Sequence, residues 1–347
     1  MHEAMLYEKL RGSWVRCNTC QWHCKIAAGK SGVCRMYRNR DGTLYSMNYA
    51  QVSSLAADPI EKKPLFHFFP DTLAFSIGGW GCNFHCQDCQ NWQISCVELA
   101  QQQVHSREVL PQMAIELAKR YECQGIAWTY NEPSTWFEYT LDSARLAREN
   151  DLYTVYVTNG YLSPDALDAI GPYLDAWRVD VKGFSDALYR KLAKVTRWRG
   201  ILEVAVRAKH KWNMHVEVVT NVVPTLNDDN EQLQNIASWI RDELGELTPW
   251  HVTRFHPHYH MNHLSATPIS TLERAYNIGR EAGLKFVYIG NVPGHKSENT
   301  VCYSCGNINV SRYGYQTSIV GLVGSKCQFC GAELNFRTQE QGGGYGD

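Results

Sequence analysis

Cys82, Cys86 and Cys89 stand at the spacing C-x3-C-x2-C in the run Cys82-Asn83-Phe84-His85-Cys86-Gln87-Asp88-Cys89. Thiolates set this closely suit an iron–sulfur cluster. A [4Fe–4S] cluster ordinarily takes four thiolates. Three of them leave one iron open, and an open position is what a catalytic metal centre needs. Cys96 follows close behind and offers the alternative of a fourth ligand and a closed, electron-carrying cluster.

Two more cysteine groups flank this one. Cys302, Cys305, Cys327 and Cys330 form two C-x-x-C knuckles, with Gly306 and Gly331 placed for the turn around a metal. That is a zinc-ribbon pattern, with rubredoxin-type iron or a [4Fe–4S] cluster as alternatives. Cys17, Cys20, Cys24 and Cys34 are less symmetric, and fit either zinc or an auxiliary [4Fe–4S] cluster that relays electrons. Cys96 and Cys123 otherwise read as small buried hydrophobes.

All 13 cysteines belong to a chain whose first residues, Met1 to Trp14, lack the apolar core of a signal peptide. A reducing, cytoplasmic setting is therefore expected, where thiols ligate metals rather than form disulfides. The 347 residues carry 34 Lys+Arg against 35 Asp+Glu, a net charge of −1. This balance argues against a nucleic-acid partner, and only Arg312 and Lys326 add positive charge between the C-terminal knuckles. No stretch approaches the roughly 20 apolar residues of a membrane span.

The elements that must hold these residues read as alternating strands and helices. Strands are expected at 73–77, 126–129, 153–157, 178–181, 216–220, 252–255 and 286–289. Helices are expected at 135–149, 199–212, 229–244 and 270–282. In the third of these, Leu233, Ile236, Ile240 and Leu244 share one face. In the last, Ser270 and Glu273 read as a capping box and Gly283 as the stop. Such a series implies a parallel sheet with right-handed crossovers, either a barrel or an open sheet. The expected organisation is an irregular four-cysteine module at 1–55, the β/α domain at 56–297, and a zinc-ribbon-like module with its tail at 298–347. Glu138 and Asp142 read as solvated. His251, His256, His258, His260 and His263 read as a polar rim, with a metal site as the sharper alternative. The tail Gln341-Gly342-Gly343-Gly344-Tyr345 reads as disordered.

The three-cysteine motif resembles that of the radical S-adenosylmethionine (SAM) enzymes. The resemblance implies an α/β fold, an incomplete (β/α)6-type barrel, and a [4Fe–4S] cluster on Cys82, Cys86 and Cys89. The open iron would chelate SAM, whose reductive cleavage gives methionine and a 5′-deoxyadenosyl radical. Tyr130-Asn131-Glu132-Pro133 is similar to the loop that holds the SAM amino group. Thr158-Asn159-Gly160 and Asp180-Val181-Lys182 look like SAM-binding elements of glycyl-radical-enzyme activases. All follow successive strands, where parallel barrels place their active sites. His258, after Pro257, is the nearest match to a histidine that contacts SAM. The SAM contacts so implied are Asn131, Glu132, Asn159, Asp180, Lys182 and His258.

The chain is identified as a member of the radical SAM group of the AmmeMemoRadiSam system, which is similar to pyruvate formate-lyase activating enzyme. Residues 15–337 carry the likeness. They include Gly29-Lys30-Ser31-Gly32-Val33-Cys34, Asp58-Pro59-Ile60-Glu61-Lys62-Lys63-Pro64-Leu65 and Asn291-Val292-Pro293-Gly294-His295. Two positions depart from the wider pattern. Asp88 stands where an aromatic usually packs near adenine, which leaves that contact to Phe84 or Trp92. Val157 stands where the activases have an Asp before Thr-Asn-Gly. The group implies an external electron donor of flavodoxin or ferredoxin type and a substrate that is a small molecule or a partner protein. The rival activities are activation of a glycyl-radical enzyme and non-catalytic electron carriage. An electron carrier has no need of the Tyr130–Pro133 loop.

Overall fold

Runs of β-branched and aromatic residues become parallel strands, because such side chains pack well when both faces of a sheet are covered. The structure, a computed structural model, describes residues 1–97 and 106–338. The tail at 341–345 lies outside them. The chain divides into two compact units. The first comprises Met1–Asp58, Leu73–Trp177 and Tyr189–Met214. The second comprises Pro59–Thr72, Arg178–Leu188 and His215–Asp347.

In the first unit, β1 (Leu73–Gly78), β2 (Gly125–Trp128) and β3 (Tyr153–Thr158) run parallel, with β2 in the middle. Gly125 faces Ala74 on one side and Tyr153 on the other. Helices α1 (Pro111–Arg120), α2 (Phe137–Glu149), α3 (Pro164–Ile170) and α4 (Arg199–His210) belong to this unit. Ser163 caps α3 by accepting from the N–H of Ala166, with Pro164 pre-set for the first turn. Strand β4 (Ala176–Asp180) has its first two residues in this unit and its last three in the second.

The second unit contains β5 (His215–Val222), β6 (Trp250–Arg254) and β7 (Val287–Gly290), parallel with β6 in the middle. Helices α5 (Asn230–Trp239) and α6 (Ile269–Glu281) belong here. The apolar face expected of 229–244 is real: Leu233, Ile236, Ile240 and Leu244 are all buried. The last turn, Ile240–Leu244, is a π-helix, which Gly245 ends at φ +89°. Each unit thus carries parallel strands alternating with helices, the α/β class that the sequence implies. Among the described residues, no helix is long and apolar enough to cross a membrane.

Three expectations are corrected. The capping box does not form. Helix α6 begins at Ile269 behind Pro268, so Ser270 already lies inside the first turn and makes no cap. Glu138 is buried rather than solvated: it accepts from the N–H of Met5 at 3.0 Å and from the Tyr37 hydroxyl at 2.8 Å. Asp142 accepts from Tyr49 at 2.7 Å. The first 50 residues are also more regular than expected. They form two three-stranded antiparallel sheets, with Ala4, Val15, Ile26, Tyr37 and Leu44 packed around Cys17.

Candidate functional site

Strand β1 ends at Gly78-Gly79, and the chain turns directly into the cysteine loop. Gly81 has φ +81°, and a Cβ there would lie 2.5 Å from Cγ of Met36, so the turn demands glycine on both counts. Main-chain bonds pin the loop. Gly81 N–H donates to Ile94 O at 2.8 Å, and Gln87 N–H to Leu192 O at 2.9 Å. The Phe84 N–H points at Cys82 Sγ at 3.4 Å. Burial pushes the Cys82 thiol well up, reinforced by the charges of Glu132 and Cys86. Burial likewise raises Cys89, against a hydrogen bond from Ser95.

The loop after β2 closes over the cysteine loop. Asn131 accepts from the Gly79 N–H at 3.1 Å and donates to Gly81 O at 2.7 Å. Glu132 is buried and turned inward. It accepts from Ser134 N–H at 3.1 Å, from Thr158 Oγ1 at 3.0 Å on each carboxylate oxygen, and from Asn159 N–H at 2.9 Å. Burial raises its carboxyl above the usual range, and these donors pull the other way without cancelling it. Its acceptor sites are largely taken by the chain itself.

Asn159, after β3, completes the join. Its amide donates to Asn83 Oδ1 at 2.7 Å and lies 3.8 Å from Cys82 Sγ. Gly160 follows at φ +75°, and its N–H donates to Thr158 Oγ1 at 2.9 Å. Three successive strand ends of the first unit thus meet at Cys82. Asn83 and Ser134, which carry this network with Thr158, were not among the candidate site residues read from the sequence. Their signal was adjacency: each lies within two residues of a cysteine, Glu132 or Asn159. Phe84 packs on Tyr161 with ring centroids 5.3 Å apart and is buried, whereas Trp92 is exposed.

Asp180, Lys182 and His258 belong to the second unit. Asp180 pairs with Arg178 and, at 3.4 Å, with Lys182. Burial raises its carboxyl, but these two cations outweigh that and hold it below the usual range. The histidine group does not behave as one rim. His256, His260 and His263 are exposed, while His251 is buried on β6 and bonded to Glu217 at 2.6 Å. Glu217 also accepts from His215 at 3.0 Å and from the N–H groups of Phe66 and His67, at 3.0 Å and 2.8 Å.

Cys17, Cys20, Cys24 and Cys34 line one cavity in the first unit. Burial pushes Cys17 up to about 12 and Cys34 to about 11. In the second unit, Cys302 Sγ lies 3.6 Å from Cys330 Sγ, and Cys305 Sγ 3.7 Å from Cys327 Sγ. All four sulfurs fall within 4.8 Å of one another, so the quartet can hold a metal ion. Burial raises Cys327, yet hydrogen bonds from Asn309 and from the N–H groups of Phe329 and Cys330 bring it down to about 6. Cys123 is buried as expected, while Cys96 is only half-buried.

Residues 77–240 match the family model of the Radical SAM superfamily, and that span holds the three-cysteine loop, Glu132 and Asn159. The chain is a radical SAM enzyme, a class that works with a [4Fe–4S] cluster and SAM. It belongs to the same family as the uncharacterized protein MJ0808 of Methanocaldococcus jannaschii, with 44% identity over 337 residues, 96% of this chain and 99% of that one. It is also similar to the isethionate sulfite-lyase activating enzyme of Nitratidesulfovibrio vulgaris, at 32% identity over 131 residues, 37% of this chain and 42% of that protein. Among solved structures, a radical SAM methyltransferase from Sphaerobacter thermophilus shares the fold. Its TM-score is 0.51 at 15% identity, over 70% of this chain and 71% of that one.

Proposed function

We propose that Cys82, Cys86 and Cys89 carry the [4Fe–4S] cluster with one iron open to SAM, and that Asn131, Glu132 and Asn159 shape the SAM side of it. The observation that carries this reading is Asn159, whose amide touches both Asn83 and Cys82 Sγ. The donor set fits the group. Three cysteines share the one loop that follows β1, and burial holds Cys82 and Cys89 as thiols until a cation favours their ionised form. When bound, the cluster supplies one electron to SAM, whose S–C5′ bond breaks to methionine and a 5′-deoxyadenosyl radical.

The chain's own contribution is position and dryness. Asn131 fixes the start of the cysteine loop. Glu132 acts as a positioning residue, holding the Thr158–Gly160 turn and the Ser134 turn on one carboxylate. Buried Phe84 and Tyr161 keep water from the loop, which protects a radical from side reactions.

With the cluster and SAM bound, the chemistry supplied would be hydrogen abstraction from, or radical addition to, a substrate that is a small molecule or a partner protein. An external one-electron donor is needed in either case. A second reading is glycyl-radical activation, in which the hydrogen leaves a glycine of a partner enzyme. The activating-enzyme relative favours it over the 131 residues of similarity. The ordered motifs from Cys17 to His295 support membership of the AmmeMemoRadiSam group. Free thiols at all cysteines fit a cytoplasmic setting. The C-terminal quartet reads as a zinc site: a tetrahedron of about 2.3 Å bonds has edges of about 3.8 Å, close to both sulfur pairs.

The test is product analysis by mass spectrometry after anaerobic incubation with SAM and reductant. Free 5′-deoxyadenosine in step with methionine supports hydrogen abstraction. An adenosyl adduct supports addition. SAM recovered intact under reduction overturns the proposal.

A further inference from the structure

The N-terminal quartet is built differently from the C-terminal one. Its sulfurs come from the end of the strand Val15–Cys17, from Cys20 in its isolated bridge to Leu162, from the residue before the strand Lys25–Ile26, and from the turn at Cys34. The Cys17 N–H donates to Cys24 O at 3.0 Å, and the Gly32 N–H to Tyr37 O at 2.9 Å, so the segments are fixed to one another. Among the described residues, only Cys302, Cys305, Cys327 and Cys330 bring three or more ligand atoms within 4.8 Å of one another. The N-terminal sulfurs therefore stand wider apart than a single-ion tetrahedron allows.

What lies among them is a cavity. All four cysteines line it, with Trp22 and Asn83, and it has room for a water-sized body. Around one zinc ion the sulfurs sit about 2.3 Å from the centre and leave no such void. A cube of iron and sulfide places four irons between the thiolates, so they stand farther apart and enclose volume. The site is also tied to the loop already described. Trp22 Nε1 donates to Asn83 O at 2.8 Å, one residue from Cys82.

We infer that Cys17, Cys20, Cys24 and Cys34 hold a second iron–sulfur cluster, of the [4Fe–4S] class, rather than zinc. Four thiolates close it, so it presents no open iron to SAM. It stands independently of the radical SAM reading, because none of its ligands belongs to the three-cysteine loop.

The test uses the full chain with Cys82, Cys86 and Cys89 all changed to Ala, which leaves the N-terminal quartet whole. After anaerobic reconstitution, iron, sulfide and zinc are measured together with the absorption spectrum. The expected result is about four irons and about four sulfides per chain, with iron–sulfur absorption. Adding Cys20→Ser and Cys34→Ser to that variant should remove the iron. Iron-free protein, with or without a second zinc, overturns the inference. So does iron that survives the two serine substitutions.

Discussion

The Asn159 side-chain amide lies 2.7 Å from Oδ1 of Asn83, joining the turn after β3 to the cysteine loop after β1. The two residues are 76 apart in sequence. The bond makes the Thr158–Gly160 turn part of the cysteine-loop architecture. Asn159→Ala should leave iron content unchanged, since the thiols lie in another loop. It should weaken SAM binding about two- to tenfold, the equivalent of one hydrogen bond of about 0.5–1.5 kcal/mol. The readout is the SAM concentration that half-converts the cluster signal in electron paramagnetic resonance. An unchanged midpoint would remove Asn159 from the site.

Glu132→Gln keeps the shape and loses the charge. The amide can accept from only some of Ser134, Thr158 and Asn159, and sets its own N–H against theirs. The loss of a charge-assisted bond is about 1.5–3 kcal/mol, about ten- to a hundredfold in SAM affinity. Because Glu132 is a positioning residue, the denaturant midpoint should fall alongside. SAM affinity equal to the parent's would refute the role given to this loop.

The second unit should be acid-sensitive. His67 is buried, bonded to Leu334 O at 2.7 Å and to the Tyr288 hydroxyl at 2.5 Å, and burial lowers its pKa to about 3. An unfolded histidine takes its proton near 6.5. Between that value and about 3, the unfolded chain therefore binds a proton that the folded chain refuses. Stability is fully present above pH 6.5 and falls as pH drops, by at most about 1.4 kcal/mol per pH unit for this one group. Glu217, held low despite burial by His215 and His251, extends the loss below about pH 4.5. Urea midpoints from pH 7 to pH 5 should decline, and His67→Gln should flatten the slope. Equal slopes would exclude His67 as the source.

Cys302→Ser should remove about one zinc per chain and destabilise the C-terminal segment, because metal-binding energy is folding energy in so small a unit. Zinc content equal to the parent's would rule out that site.

Much of this was legible in the sequence because it depends on period and spacing. The face through Leu233, Ile236, Ile240 and Leu244 follows from helical period, and the strand at 153–157 follows from its β-branched and aromatic run. The three-cysteine loop and the C-terminal knuckles follow from local spacing. What stayed hidden depends on partners distant in sequence. Glu138 looked solvated at a helical surface position, but Tyr37, 101 residues away, buries it. Glu132 looked free to meet a ligand, and only the fold shows Thr158 and Asn159 occupying its carboxylate. Ser270 had the right neighbour for a capping box, but Pro268 started the helix too early for it.

On the function proposed above, a cluster on Cys82, Cys86 and Cys89 would cleave SAM by one-electron reduction. The most direct measurement is 5′-deoxyadenosine formed by the anaerobically reconstituted full chain with dithionite and SAM, compared with Cys82→Ala, Cys86→Ala and Cys89→Ala. The parent should form it, none of the three variants should, and Cys96→Ala should continue to form it. Product formation by any of the three loop variants, or none by the parent carrying its full complement of iron, would contradict the proposed function.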